Sequence, residues 1–264
     1  MRGARVLVVG ASSGIGREIG LRFSQLGARV GFHGRRVEKL EEAVAHAADA
    51  FAVVGDISNS SMCASIVRDA VEQLGALDLV VCSASLSALN LLQDTSADEW
   101  SRVYAANVIG PAELARLAIP SMPPGSIFAF ISSESVGAPY HGLVPYGSSK
   151  AALEELVRGL RIEHPDRRFA NIRVGQTLPT DFARDFSPEL AAELMPKWIG
   201  LGRIPAQGMD TQELGRAIAD TLAIALTTPS VEFQDMILRA PGGQLTDPSI
   251  MDRQLADTQA SLRS

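Results

Sequence analysis

The stretch Arg5-Val-Leu-Val-Val-Gly10-Ala-Ser-Ser-Gly14-Ile-Gly16 joins a short apolar run to a glycine-rich turn and the start of a helical pattern. Glycine allows a tight turn and lets the backbone approach a phosphate group. A helix that begins directly after such a turn points free N–H groups and its dipole at that phosphate. The order of strand, turn and helix therefore predicts a dinucleotide-binding unit, in which the contacts come from Gly10, Ser12, Ser13, Gly14, Ile15 and Gly16.

The rest of the chain continues this alternation of short apolar runs with longer helical patterns. The predicted strands are 5–9, 28–32, 51–54, 79–82, 126–131, 172–174 and 235–238, and the predicted helices are 15–26, 37–47, 62–74, 112–119 and 149–164. The strand segments are almost continuously apolar, which is typical of strands covered on both faces. The pattern predicts a single α/β domain over 1–264, with a doubly wound, seven-stranded parallel sheet and helices on both faces.

Composition excludes several classes of function. The 264 residues include 24 basic and 30 acidic side chains, for a net charge of −6, so no broad basic surface for nucleic acid is expected. Neither the two cysteines, Cys63 and Cys82, nor the four histidines show metal-ligand spacing, and no metal site is expected. Without a secretory signal or an apolar run near the roughly 20 residues of a membrane helix, we expect a cytoplasmic protein that does not bind membranes.

The segment Tyr146-Gly-Ser-Ser-Lys150 sets a phenol and an ammonium four residues apart, on one face of a predicted helix. A nearby cation makes the phenolate less costly to form, because a free tyrosine has a pKa of about 10. By itself, a tyrosine and a lysine at this spacing are more commonly two solvated surface side chains. Here Ser133 ends an apolar run thirteen residues before Tyr146, and Asn107 lies mid-chain.

Together these motifs resemble the short-chain dehydrogenase/reductase family, and the resemblance covers nearly the whole chain. It implies a Rossmann-type fold, a nicotinamide cofactor, and hydride transfer between that cofactor and a carbonyl or alcohol. By resemblance, Tyr146 is the acid–base, Lys150 lowers its pKa and binds the nicotinamide ribose, Ser133 polarises the carbonyl, and Asn107 holds a water that links Lys150 to solvent. Ser132 competes for the serine role, although the spacing to the tyrosine favours Ser133.

Cofactor choice depends on the residues after the second predicted strand. An NAD-selective site has an acid there for the ribose 2′-hydroxyl, whereas this chain has Gly34 followed by Arg35 and Arg36. Arginine fits a 2′-phosphate, so NADP(H) is preferred over NAD(H), with Arg35 the stronger candidate. Alternatively, both arginines simply begin a solvated helix. Asp56, followed by Ile57, resembles the family's adenine-contacting acid, although an Asp before Ser is also a common turn or helix cap.

Two segments depart from the family pattern. Cys82-Ser-Ala84-Ser85 stands where the family has Asn-Asn-Ala-Gly, so we expect Ala84 to keep its place in a turn with rearranged hydrogen bonds. The family's nicotinamide-contacting threonine aligns in two ways with the run 174–182. Thr180 is favoured and Thr177 is the alternative.

Segment 180–212 interrupts the regular alternation and carries aromatic and methionine side chains among polar residues. It is predicted to be a lid over a ligand; the alternative is an ordinary helical insertion that packs on the sheet. In the family, the loop between Ser133 and Tyr146 borders the substrate. The alternative is an ordinary surface loop without a role in binding. The predicted substrate contacts are Ser133, Tyr140, His141, Tyr146, Phe182, Phe186 and Trp198.

The predicted function is NADP(H)-dependent interconversion of a small ketone or aldehyde with its alcohol. One alternative is reduction of a carrier-bound 3-oxoacyl group, which predicts a basic patch, whereas 182–198 is apolar and acidic. Another is a catalytically silent NADP(H)-binding sensor or scaffold, against which the intact Tyr146 and Lys150 count. Members of the family usually form dimers or tetramers, so the resemblance implies a homodimer or homotetramer with helices 112–119 and 149–164 at an interface. The polar tail, 244–264, is expected to cover a neighbouring subunit.

Overall fold

The computed structural model describes residues 1–245. The strands are β1 (Arg5–Val9), β2 (Arg29–Gly34), β3 (Ala50–Val54), β4 (Leu79–Cys82), β5 (Ile127–Ser133), β6 (Arg168–Val174), β7 (Thr177–Leu178), β8 (Met209–Asp210) and β9 (Asp235–Leu238). The α-helices are α1 (Gly14–Gln25), α2 (Val37–Ala45), α3 (Ser60–Leu74), α4 (Ala97–Tyr104), α5 (Gly110–Ala118), α6 (Val144–Glu163), α7 (Pro188–Gly200) and α8 (Thr211–Thr227).

Seven of these strands form one parallel sheet in the order β3-β2-β1-β4-β5-β6-β9. The chain builds outward from β1 to β3 and then returns to place β4 on the other side of β1. Such a reversal leaves a crevice at the carboxyl ends of the two central strands, where ligands bind in open α/β sheets. All seven predicted strands are present, and the predicted Rossmann-type α/β fold is confirmed.

Helices cover both faces of the sheet. Along β5, successive side chains point alternately into the hydrophobic cores on the two faces. Phe128 and Phe130 stack with ring centroids 4.4 Å apart and pack in the cluster that includes side chains of α3, α5 and α6. Ile127 and Ile131 point the other way, into the cluster built with α1, α2 and α8. Because successive side chains of a strand alternate, one apolar strand contributes to both cores.

Helix α6 begins five residues earlier than the sequence pattern predicted, at Val144 instead of 149. Pro145 lies in its first turn, where the missing N–H costs no intrahelical hydrogen bond. Tyr146 is therefore inside the helix, one turn before Lys150. Strand β5 also extends two residues further than predicted, so that Ser133 is its last residue.

Within residues 1–245, three α-helices were not predicted: α4, α7 and α8. The α8 signal was present in the sequence, since Leu214, Ile218 and Leu222 recur every fourth residue and are buried against α1 and the sheet. Helix α7 lies within segment 180–212. Across residues 1–245, no helix is both long and apolar enough to cross a membrane. From residue 246 onward, the predicted tail 244–264 lies outside the described residues.

Candidate active site

A cleft of about 1120 Å³ runs along the carboxyl ends of the sheet strands, at the reversal in strand order. This volume is large enough for a dinucleotide and a second small molecule together. Most residues singled out from the sequence line it: Gly10, Ser12, Ser13, Gly14, Ile15, Arg35, Arg36, Asp56, Ile57, Ala84, Ser133, Tyr140, Tyr146, Lys150, Thr177, Thr180, Phe182, Phe186 and Trp198.

The glycine turn between β1 and α1 is shaped by close backbone contacts. Gly10 has φ of 83°, and a Cβ there would lie 2.4 Å from the Ala84 nitrogen. A Cβ on Gly16 would lie 2.4 Å from the Gly10 oxygen. In front of the helix the space is open, since a Cβ on Gly14 would have its nearest neighbour, Thr180 Cγ2, at 3.9 Å. The Ser13 side chain does not cap α1. The turn therefore fits a phosphate group.

Arg36 lies directly on this turn. Its Nη2 donates to the hydroxyl oxygens of Ser12, at 3.0 Å, and Ser13, at 2.6 Å. The same nitrogen is 2.8 Å from a carboxylate oxygen of Asp181, to which the Ser13 hydroxyl also donates at 2.8 Å. Asp181 lies in the predicted lid but was not predicted to contact the glycine turn. It lies 168 residues from Ser13, and no local pattern marks such a contact.

Arg35 is more exposed and pairs with Asp56, with 3.4 Å between Nη1 and Oδ2. The other oxygen of Asp56 accepts hydrogen bonds from the N–H and the hydroxyl of Ser58. Asp56 therefore forms the turn expected of an Asp before a Ser, and it also lines the cleft. Both arginines and this carboxylate lie at the end of the cleft where β2 and β3 finish.

Lys150 is buried, with 2% of its surface exposed, and its Nζ donates to the Ile131 carbonyl oxygen at 2.9 Å. The ammonium lies 5.8 Å from the centre of the Tyr146 ring. Burial lowers the pKa of Lys150 to about 8, and electrostatic interactions with Cys82 and Glu154 act in the opposite direction. The lysine therefore titrates close to physiological pH.

Tyr146 is also buried, and burial raises its pKa to about 12. Hydrogen bonding with the side chains of Ser133 and Ser85 acts in the opposite direction. The phenol is thus protonated at neutral pH in this structure, so it can donate a proton. In the sequence Ser85 was only a departure from the family motif, whereas in the structure its side chain faces the Tyr146 hydroxyl.

The geometry separates the two candidate serines. Ser132 donates to Glu154 Oε1 at 2.7 Å, and Glu154 also pairs with Arg173. Ser133, the next residue on the strand, faces the opposite side, and its oxygen accepts the Ser135 N–H at 3.1 Å. Because alternate strand residues face opposite sides, only one of the two can face Tyr146, and the structure favours Ser133.

Asn107 lies in a single π-helical turn, Ala105–Ile109, between α4 and α5. Its amide nitrogen donates to the Leu86 carbonyl at 2.8 Å and to the Ser149 hydroxyl at 2.9 Å. Its oxygen accepts from the Leu86 N–H at 2.7 Å and from the Ser85 hydroxyl at 3.3 Å. The side chain ties the loop after β4 to α6, which accounts for the survival of the altered turn. The predicted role in holding a water stays a prediction.

Aromatic rings close the other end of the cleft. The Phe182 ring packs edge-on against Tyr146 at 5.1 Å and against Phe186 at 5.4 Å. Tyr140 packs edge-on against Trp198 at 5.9 Å. The expected pocket role of His141 does not fit this structure, because its side chain is exposed and lies outside the cleft lining. The backbone carbonyl of His141 instead helps to hold Trp198, because it accepts a hydrogen bond from the indole N–H at 2.9 Å.

Thr177 and Thr180 both line the cleft, but their surroundings differ. The Thr177 hydroxyl donates to the Gly175 carbonyl at 3.0 Å, and the residue is buried in β7. Thr180 begins the segment that faces the glycine turn, and its methyl group is the nearest neighbour to the open space before Gly14. This placement supports Thr180 as the cofactor contact.

Comparison with known proteins identifies the family. Residues 4–194 match the family model for short chain dehydrogenase, and the chain belongs to this family. An "uncharacterized oxidoreductase" from Thermotoga maritima is 32% identical in a 186-residue alignment that covers 67% of this chain and 71% of the relative. Versicolorin reductase 1 from Aspergillus parasiticus is 30% identical in a 202-residue alignment that covers 74% of this chain and 75% of the relative.

Solved structures share the fold. An alcohol dehydrogenase from the archaeon Thermococcus sibiricus, complexed with 5-hydroxy-NADP, matches with a TM-score of 0.76 and 21% identity, over 92% of this chain and 97% of that chain. The family match and these relatives define the protein as an oxidoreductase that acts on hydroxyl or carbonyl groups.

Proposed function

We propose that this protein interconverts a ketone or aldehyde with its alcohol, using NADP(H) and the side chains of Tyr146, Lys150, Ser133 and Asn107. The observation that carries the proposal is the buried Tyr146–Lys150 pair on one face of α6, in the same cleft as the glycine turn. A bound nicotinamide supplies or accepts the hydride.

Each protein group has a defined task in the direction of reduction. Tyr146 holds the proton at its phenolic oxygen and donates it to the substrate oxygen, a role typically worth about 10²–10⁴ in rate. The Ser133 hydroxyl donates a hydrogen bond to the same oxygen. Lys150, held by the Ile131 carbonyl, places a positive charge near the phenolate that Tyr146 becomes. An ammonium has three donors, so Lys150 also has donors to offer a ribose hydroxyl. Asn107 positions the loop and helix that frame this group.

The direct test is NADPH consumption with a panel of aliphatic, alicyclic and aromatic ketones and aldehydes. The proposal predicts steady oxidation of NADPH with at least one member of the panel and formation of the corresponding alcohol. A protein that binds NADPH and reduces none of these compounds is the silent sensor instead.

The preference for NADP(H) is supported by the position of Gly34, Arg35 and Arg36 at the end of β2, within the cleft. Arg35 contacts Asp56 through Nη1 at 3.4 Å, and a guanidinium has further N–H donors to offer a phosphate. The local charge therefore favours a 2′-phosphate over a bare 2′-hydroxyl.

Arg35→Ala is expected to weaken NADPH binding about ten- to a hundredfold and to leave NADH binding almost unchanged. Loss of one charge-assisted phosphate contact costs about 1.5–3 kcal/mol. Dissociation constants from fluorescence titration measure both cofactors. Arg29→Ala is the matched control, because Arg29 pairs with Asp49 at the other end of β2. Equal weakening of NADPH and NADH in Arg35→Ala means that Arg35 is structural.

The segment 180–212 acts as a lid in this proposal. Phe182 packs on Tyr146 and Phe186 packs on Phe182, and α7 buries Leu194 and Trp198 against the loop before α6. The first turn of this segment, Asp181–Ala183, contacts the glycine turn because Asp181 accepts a hydrogen bond from the Ser13 hydroxyl. A cover of this kind excludes water from the hydride path when it is closed.

Amide hydrogen exchange in 180–212 is expected to be fast in the free protein and slower when NADPH and a substrate analogue are both bound. Closure buries amides that are open to solvent in the free state. Exchange monitored by mass spectrometry gives the protection for each peptide, with the α3 peptide as an internal reference. Slow exchange that neither ligand changes means that the segment is a fixed part of the core.

A further inference from the structure

A carboxylate that the proposed reaction does not use lies beside the reactive group. Glu134 follows Ser133 directly, and its N–H still bonds to the Val174 carbonyl at 3.1 Å. Its side chain is 17% exposed and lines the cleft. The neighbouring Gly175 makes room for it, because a Cβ there would lie 2.9 Å from Glu134 Oε2. The end of β6 is thus shaped to hold this acid in the cleft.

Tyr140 faces the acid and leaves its hydrogen bonding incomplete. The Tyr140 hydroxyl oxygen lies 3.1 Å from Glu134 Oε1 and also 3.1 Å from the Arg203 carbonyl oxygen. Both partners are acceptors, whereas a phenol has one proton to donate. Burial and the charge of Glu134 raise the pKa of Tyr140, so the phenol keeps that proton. One of the two acceptors is therefore left without the Tyr140 proton and can accept from another donor.

Glu134 also has an ion-pair partner, Arg239. Arg239 Nε is 3.4 Å from Glu134 Oε2, and the Arg239 side chain is 62% exposed. This solvated ion pair balances charge through one carboxylate oxygen, whereas Oε1 faces Tyr140. Leu143, Trp198 and Ile204 pack in one apolar cluster with Tyr140 and line the same cleft. An acceptor beside this apolar cluster and next to Ser133 is suited to orient a polar group of a ligand.

We propose that the substrate is a carbonyl compound with an apolar body and a separate hydrogen-bond donor, a hydroxyl or an ammonium group, and that Glu134 Oε1 accepts from this donor. Tyr140 is a positioning residue that holds the carboxylate. The inference rests on the proposed function for the carbonyl, and it adds the recognition of a second group. A substrate with an ether or a carboxylate at that position is disfavoured, because neither supplies a proton to the acceptor.

The test measures binding without turnover, with NADP⁺ at saturation. The probes are 1-tetralones that carry a hydroxyl or an aminomethyl group at carbon 5, 6 or 7, each compared with its methoxy counterpart. In the wild type, at least one donor-bearing ketone is expected to bind about tenfold or more tightly than its counterpart. Glu134→Leu removes the acceptor and is expected to abolish the preference for both donors. Glu134→Gln keeps an oxygen acceptor without the charge, so it is expected to reduce the aminomethyl preference more than the hydroxyl preference.

Glu155→Gln is the matched control, since Glu155 is an exposed carboxylate of α6 that pairs with Arg158 and lies outside the cleft lining. It is expected to keep the wild-type preference. Retained NADP⁺ affinity shows that each variant is folded. Equal binding of donor and methoxy ketones, no binding of any donor-bearing ketone, or a preference that survives both Glu134 variants overturns the inference. Because binding is measured separately, an absence of NADPH oxidation counts against the proposed reaction alone.

Discussion

Tyr146→Phe is expected to lower kcat for carbonyl reduction by about 10²–10⁴, whereas NADPH binding is retained. The substitution keeps the ring that packs edge-on against Phe182 and removes only the hydroxyl. With a pKa raised to about 12 by burial, that hydroxyl is protonated throughout the neutral range. Its loss removes the proton donor without opening the pocket. Steady-state kinetics with NADPH and the best carbonyl of the panel give kcat and KM, and fluorescence titration gives cofactor affinity.

Tyr104→Phe is the control for this experiment. Tyr104 ends α4, packs against Trp100 with ring centroids 5.9 Å apart, and is not part of the cleft lining. Its loss of a hydroxyl is expected to leave kcat unchanged. If Tyr146→Phe keeps most of the wild-type rate, another group donates the proton, and the assignment of the acid has to be abandoned.

Lys150→Met is expected to lower kcat/KM for reduction by about 10² or more and to change its pH profile. Burial lowers the pKa of Lys150 to about 8, so the ammonium loses its charge as the pH rises through this value. The phenolate that forms on proton donation needs that charge. In the wild type, kcat/KM for reduction is therefore expected to fall on the alkaline side of about pH 8.

Methionine at position 150 is uncharged at every pH, so the alkaline fall near pH 8 is expected to disappear from the already low activity. NADPH affinity is also expected to drop, because the ribose loses a donor. Lys39→Met is the control, since Lys39 is exposed on α2 and pairs with Glu42. A pH profile in Lys150→Met with the same alkaline fall as the wild type assigns that titration to another group.

The sequence predicted what depends on short-range periodicity. The seven sheet strands could be located because each is a short, almost continuously apolar run, and the structure has all seven. The glycine turn was recognisable because Gly10 and Gly14 adopt positive φ, which other residues rarely do. Tyr146 and Lys150 could be placed on one face because residues four apart in a helix lie one turn from each other.

His141, which was predicted to contact the substrate, shows what sequence periodicity cannot predict. Tyr140 and His141 are adjacent in one loop, and the sequence treats them alike. In the structure Tyr140 turns into the cleft, whereas the His141 side chain faces solvent. In an irregular loop no period relates sequence position to direction, so only the packing of Trp198 against this loop decides which side chain enters.

The sequence by itself therefore determined the sheet, the glycine turn and the Tyr146–Lys150 pair, since each follows from contacts within about one turn or one strand. The tertiary structure alone decided the partners of Asn107, the different contacts of Ser132 and Ser133, and the contacts of Glu134. The Asp181–Ser13 hydrogen bond spans 168 residues. Such contacts depend on how β5, α6 and the segment after β6 pack together, and no local pattern of residues encodes that arrangement.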